Sequence, residues 1–352
     1  MKIKRYTFPE ILYKTKVHLL HHVYKPLSSF SRYEDYAKQF PSYRYSLKHG
    51  DGHGENVNYL AAVPNPGAGI GHQMANWMAG YHYAKVFNLR FAHIPFSGQH
   101  HPLKANQWDY FLGFGENEVL ASDLFSKGYK KVVLPIFQND KTGQVEVVRN
   151  IIAAYSNQNV VFVCSQDEFY RDLQTLIPDL QQKFFSAPSR KIDQLSYSKE
   201  NFNIAIHVRR GDIMVNPSNP NLAMRILSND YFSHVLKQAF GVLSSVEAKP
   251  IHIYFFTQGQ PEDFPEFKDY PNVHWCNDLG AVPSFLHMVY ADLLITSKSS
   301  FSYKPALLNK GIKICPKNFW HGYPNAPQWL LCDDEGNFDT NQLKNLFQIN
   351  ID

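Results

Sequence analysis

The chain has 352 residues, 44% of them hydrophobic and 19% charged, with a formal net charge of +4. That length can bury a full core and favours two domains of roughly 150 residues each, and the globular composition excludes a long disordered tract. So small and scattered an excess of Lys and Arg excludes a nucleic-acid partner, which needs a concentrated basic stripe, but leaves room for a local anion site.

Residues 2–25 mix Lys2, Lys4, Arg5, Lys14, Lys16 and Lys25 with Ile3, Phe8, Ile11, Leu12, Val17, Leu19, Leu20 and Val23, a basic amphipathic pattern that Pro26 ends. Two readings are open: a helix docked on its own protein with a solvated basic face, which is favoured, or a helix lying on an anionic membrane surface. No continuous apolar run in this region has the length of a secretory signal or a membrane span. The expected location is cytoplasmic, with peripheral association at the inner face of the membrane as the second reading. The four cysteines, Cys164, Cys276, Cys315 and Cys332, have no Cys-x-x-Cys pairing, and reduced, buried thiols are expected.

After the turn-rich Asp51-Gly-His-Gly-Glu55, residues 58–63 read as a buried strand leading into the glycine-rich Pro66-Gly-Ala-Gly-Ile-Gly71. Residues 73–87 have helical spacing, with Met74, Trp77, Met78, Tyr81 and Ala84 on one side. Strands are expected at 89–94, 132–136 and 160–164, with helices between several of them, which makes an α/β domain with a mostly parallel sheet. A second set follows the polar linker 196–201: a strand at 202–208, a helix at 231–242, a strand at 251–256, a helix at 283–290, a strand at 292–296, a helix at 303–310 and a strand at 312–315. This half reads as Rossmann-like, and ligands of such sheets bind at the carboxyl ends of the strands. The expected division is a basic segment and linker (1–55), a first α/β lobe (56–200) and a second, Rossmann-like lobe (201–352).

The strongest chemical signal is His207-Val-Arg-Arg-Gly-Asp212 at the end of an apolar strand. Guanidinium groups grip phosphate oxygens with paired hydrogen bonds, and a sugar transferase without a metal needs such a cation as its nucleoside diphosphate departs. The alternative is a local Arg210 to Asp212 salt bridge. Glycines after a strand let the backbone approach a ligand, and the following helix offers its amides to an anion, although an ordinary strand-to-helix turn explains the same residues. Ser299, Ser300 and Ser302 can cap helix amides or bond phosphate or sugar. Thr257 and Gln258 can line a nucleotide pocket or make plain turn chemistry. Asp212 has two candidate roles, proton acceptor and, favoured, a partner that orients an arginine; Glu55, His72 and Asp109 are further base candidates. No Asp-x-Asp carboxylate clamp occurs, Asp333-Asp-Glu335 reads as a solvated turn, and neither His21-His22 nor His100-His101 has a partner at metal-ligand spacing, so no metal site is assigned.

His207, Arg209, Arg210 and Asp212 resemble the His-x-Arg-Arg-x-Asp motif shared by the α1,2-, α1,6- and protein O-fucosyltransferases. Three further stretches resemble the α1,2 enzymes in the same order: Gly67 to Met74 their glycine loop, with His72 in place of Asn; Asn229 to Phe232 with Ile253 to Thr257 their next helix start and strand; and Ala291 to Tyr303 their Asn-Ser-Ser-Phe-Ser-Trp-Trp segment, with Tyr303-Lys304 in place of the tryptophans. The resemblance spans roughly residues 60 to 315 and implies a GT-B-like glycosyltransferase, two Rossmann-like lobes with a cleft between them. It implies GDP-fucose as donor, inversion at the sugar carbon, no metal or cofactor, and a glycan or glycolipid acceptor in surface polysaccharide or lipopolysaccharide synthesis. Arg209 and Asp212 are then catalytic. His207, Arg210, Gly69, Gly71, Gln73, Thr257, Ser299, Ser300 and Ser302 bind the donor, and His72 and Asn76 face the acceptor. The alternatives are a different nucleotide-sugar donor, or a nucleotide- or glycan-binding protein of the same fold without activity.

Overall fold

The computed structural model describes residues 33–50, 56–65, 68–96, 102–138, 141–165, 175–214, 223–320 and 322–348, without the side chains of 102–106, 212 and 348. The basic segment 2–25, Asp51 to Glu55, Gly67, His100-His101 and the Asp212 side chain lie outside the described set.

Two all-parallel sheets organise the chain, one within residues 59–164 and one within 202–332. The first contains β1 (Tyr59–Ala62), β2 (Arg90–His93), β3 (Val119–Leu120), β4 (Lys130–Val133) and β5 (Val160–Cys164) in the order β3-β2-β1-β5-β4. Every residue of β1 and β5 is buried, as expected of apolar runs covered on both faces of a parallel sheet. Tyr59, Ala61, Ala92, Leu124, Val161 and Val163 form one core layer there.

The second sheet contains β6 (Phe202–Val208), β7 (Ile251–Thr257), β8 (Val273–Trp275), β9 (Leu293–Ile295), β10 (Ile312–Pro316) and β11 (Trp329–Cys332), ordered β11-β10-β9-β6-β7-β8. All its pairings are parallel. Counting these strands from its own first, the order is the 3-2-1-4-5-6 of a doubly wound dinucleotide-binding sheet, read from the other edge. Its main core packs Ile204, Ile206 and Val208 against Phe232, Val235, Leu236 and Leu243 of the long helix Asn229–Val246. That helix buries residues at spacings of three and four, and Ser228 caps it, its Oγ accepting from the Tyr231 amide at 3.1 Å.

Of the expected elements, the strand at 132–136 is displaced: β4 starts at Lys130 and ends before Pro135, which has no amide to give a ladder. The helix expected at 303–310 runs Ser300–Leu308, because Ser299 supplies its cap three residues earlier than the apolar pattern suggests. Cys164, Cys315 and Cys332 are buried and Cys276 is half-buried, all four as free thiols. Burial pushes Cys315 and Cys332 up to about 12 and Cys276 to about 11, so they are inert thiols rather than nucleophiles. Among the described residues no helix is long and apolar enough to cross a membrane.

By packing, the chain divides into two compact units that interleave in sequence. One takes the described residues up to Val63 with Asn76–Ile94 and Glu118–Phe169; the other takes Pro64–Ala75, Pro95–Asn117 and the chain from Tyr170 onward. The glycine-rich connection after β1 therefore belongs with the second sheet.

Candidate active site

The strand order of the second sheet reverses between β6 and β9, so the loops leaving these neighbours part in opposite directions and open a crevice at the carboxyl edge. Into it run His207 to Asp212 from β6 and Thr296 to Ser302 from β9. The register pairs Ile206 with Ile295, which brings the two segments side by side.

His207 and Ser297 join across this point, with imidazole Nδ1 and hydroxyl Oγ 2.9 Å apart. Both residues are buried. Burial, reinforced by the neighbouring Arg209 charge, pushes the imidazole down to about 3, so the ring is neutral at physiological pH. Its other face meets Phe301 at a ring separation of 5.6 Å.

Arg210 has defined partners on three sides. The Arg210 guanidinium donates from Nη1 to the Arg209 carbonyl at 2.9 Å and from Nη2 to Asn229 Oδ1 at 2.7 Å. Asn229 in turn donates to the Asp263 carbonyl at 2.7 Å, and the Phe264 ring lies 5.8 Å from the guanidinium carbon. Burial lowers the Arg210 pKa, with Asp263 opposing. Arg210 thus ties the end of β6 to the start of the helix Asn229–Val246. Gly211 follows at φ +74°, and the Gln258 carboxamide occupies the space a Cβ would take. Only glycine suits both the backbone and the neighbour.

The glycine loop reaches the same edge. Ile70–Val86 begins there, and its second residue, Gly71, abuts Ser300, the first residue of Ser300–Leu308; a Cβ on Gly71 would lie 2.9 Å from Ser300 backbone atoms. Two helix amino termini therefore meet at Gly71 and Ser300, both presenting the positive end of the backbone dipole. Gln73 is buried and donates to the Ala68 carbonyl at 3.0 Å, and Gly69 accepts from the amides of His72 (3.0 Å) and Gln73 (3.1 Å). Asn65 donates to His72 Nε2 at 3.3 Å. Gln73 therefore shapes the loop, while Gly69 is exposed at its tip.

The serines divide by role. Ser299 accepts from the Phe301 amide at 3.2 Å and caps its helix. Ser302 is fully buried and bonds the Ser297 amide at 3.3 Å and the Ser299 carbonyl at 3.3 Å, so it braces the turn from beneath. Ser300, half-buried at the helix start, stands beside Gly71. Thr257 Oγ1 accepts from the Gly259 amide at 3.2 Å, which is turn chemistry at the end of β7. Lys298, in the serine loop, pairs with Asp334 at 3.4 Å.

The structure thus brings together His207, Arg209, Arg210, Gly71, Ser299, Ser300 and Ser302, all in the second unit. Asn76 is buried in the first unit. Asp109, within the helix Pro102–Leu112, accepts from the Phe96 amide at 3.2 Å. Asp333 accepts from Glu335 and Asn337 amides, making a closed turn whose hydrogen bonds with Asn337 lower its carboxyl pKa. A cavity of about 440 Å³ lined by Asn56, Asn58, Asn88 and Arg90 lies in the first unit at the amino-terminal ends of β1 and β2, and contains none of these residues. Among the described residues no group of three or more His, Cys, Asp or Glu is placed to hold a metal ion.

No family model matches the chain, and no curated protein matches it by sequence. Solved structures do align with it. POFUT1 in complex with GDP aligns at 12% identity and a TM-score of 0.43, over 74% of this chain and 98% of that one. NodZ α-1,6-fucosyltransferase co-crystallised with GDP aligns at 13% identity and a TM-score of 0.39, over 80% of this chain and 97% of that one. NodZ from Bradyrhizobium aligns at 13% identity and a TM-score of 0.38, over 72% and 94%.

Two residues of the site escape sequence reasoning. Ser297 sits one position beyond the end of the expected strand, and its partner is 90 residues away, so only the pairing of β6 with β9 reveals it. Asn229 reads as a helix start, and its bond to Arg210 becomes visible once the β6 loop folds back onto that helix.

Proposed function

We propose that the chain is an inverting glycosyltransferase that moves fucose from GDP-fucose to a glycan acceptor without a metal ion. The observation that carries the reading is the carboxyl edge of the second sheet: Arg209 beside neutral His207 where the strand order reverses, next to the meeting of two helix amino termini at Gly71 and Ser300. Such an edge suits a diphosphate, because every contribution favours negative charge and none requires a proton to be gained. The choice of fucose and of guanosine rests on the resemblance of His207 to Asp212 and of the three further stretches to fucosyltransferases.

In the proposed reaction the acceptor hydroxyl oxygen bonds to the sugar anomeric carbon as the bond from that carbon to the β-phosphate oxygen breaks. The hydroxyl proton passes to a base, and GDP leaves with the bonding pair. Charge grows on the leaving oxygen, where Arg209 and the helix-terminal amides would offset it in a site that needs no reorganisation. His207 would donate to the donor from its ring, and Arg210 would hold the loop that presents Arg209. Asp212 is assigned to orient Arg209. The acceptor belongs to surface polysaccharide or lipopolysaccharide synthesis in this reading.

Transfer or donor hydrolysis is expected to persist in excess EDTA and to fall at least about a hundredfold in Arg209→Ala with the fold intact by circular dichroism. Unaltered turnover in that variant would remove Arg209 from the mechanism.

A further inference from the structure

The bond between His207 and Ser297 has a direction that the surrounding groups decide. The Ser297 hydroxyl has one proton, and among the described residues its oxygen has no partner other than His207 Nδ1 at 2.9 Å. Ser297 is 2% exposed, so no solvent is at hand to accept that proton. If Nδ1 carried hydrogen and donated to Oγ, the hydroxyl proton would be buried without an acceptor, a loss comparable to a missing hydrogen bond. If Ser297 donates to Nδ1, both groups are satisfied, and the ring's single hydrogen sits on Nε2. Protonation of both nitrogens is opposed by burial and by Arg209.

We infer that Ser297 is a positioning residue that fixes His207 as the Nε2–H tautomer, making it a neutral hydrogen-bond donor to the donor substrate. The inference rests on the diphosphate reading for its consequence but not for its geometry. Nε2 has no partner among the described residues, and His207 is the penultimate residue of β6, two before Arg209. A neutral donor beside a cation supplies direction without adding a second charge that the loop would have to accommodate in the empty state. Ser302, whose hydroxyl bonds the Ser297 amide at 3.3 Å, holds Ser297 in place. The serine turn thus acts on the site through the histidine.

Nitrogen-15 and carbon-13 shifts of the His207 ring, recorded on the full chain with labelled histidine and assigned by comparison with His207→Gln, read the tautomer directly in the absence of any ligand. The expected result is a neutral Nε2–H ring from about pH 5 to 8, a mixed population in Ser297→Ala, and return of the Nε2–H signature in Ser297→Thr. GDP affinity by calorimetry is expected to fall about tenfold in Ser297→Ala and to recover in Ser297→Thr. A ring protonated on Nδ1 in the unmodified chain, or one whose tautomer is unchanged in Ser297→Ala, would overturn the inference. Failure of the unmodified chain to bind GDP, with the tautomer as expected, would strike the donor reading instead.

Discussion

Arg209 and Arg210 are adjacent, and the partners of Arg210 give it a role of its own. Arg210 is committed to the Arg209 carbonyl and Asn229, at 2.9 and 2.7 Å, so Arg210→Met should lower unfolding free energy by about 1–3 kcal/mol by leaving Asn229 Oδ1 unpaired; an unchanged denaturant midpoint would contradict the brace. Arg209→Lys should lose most activity, because an ammonium cannot match the paired geometry of a guanidinium on phosphate. His207 carries a pH signature. Its folded pKa, about 3, lies below the ordinary 6.5, so the unfolded chain takes up a proton that the native state refuses. Stability is therefore full above about pH 6.5 and declines as pH falls toward 3. Between pH 7 and 5 the chain should lose about 2 kcal/mol more than His207→Gln in urea titrations. Equal losses would show that the ring titrates freely. The sequence revealed which residue types gather at the end of β6, since two arginines after an apolar strand need little context. It could not assign one arginine to the brace, because Asn229 and Asp263 reach Arg210 only through tertiary folding.

Elements with dense apolar patterns were legible. The expected strands at 160–164 and 202–208 coincide with β5 and β6, whose residues are all buried. β8, by contrast, is three half-buried residues at a sheet edge, and neither its length nor its alternation distinguishes Val273-His-Trp275 from a loop. The start of Ser300–Leu308 was obscured because four serines, Ser297, Ser299, Ser300 and Ser302, offered several equivalent caps. Gly71 is where this local chemistry meets packing. A methyl there would press on the Ser300 backbone, so Gly71→Ala should separate the two helix starts. The expected result is a loss of about 1–3 kcal/mol in stability together with weakened GDP binding; intact affinity would mean that the two termini do not share a ligand. At the far end of the same helix Asn309 donates to the carbonyls of Met288, Val289 and Ala291, at 3.1, 3.0 and 2.7 Å. Asn309→Leu should therefore destabilise the chain by about 2 kcal/mol or more while sparing donor affinity, and a matching drop in GDP binding would tie that helix end to the site.

At the scale of the whole molecule, alternating strands and helices were enough to predict an α/β chain with parallel sheets, and the structure has two of them. The order of strands within each sheet was not readable, because the same alternation winds in several ways. That order gives the site its place, since only a reversal between β6 and β9 sets His207 to Asp212 beside Thr296 to Ser302. The interleaving of Pro64–Ala75 with the second unit was equally hidden, as nothing in a glycine-rich loop reports which sheet it packs on. The measurement that bears most directly on the account is a calorimetric titration of the full chain, in EDTA, with GDP-fucose, GDP-mannose and uridine diphosphate sugars in parallel. GDP-fucose is expected to bind best and Arg209→Ala to abolish the heat; binding confined to a uridine nucleotide, or binding that survives Arg209→Ala unchanged, would contradict the proposed function.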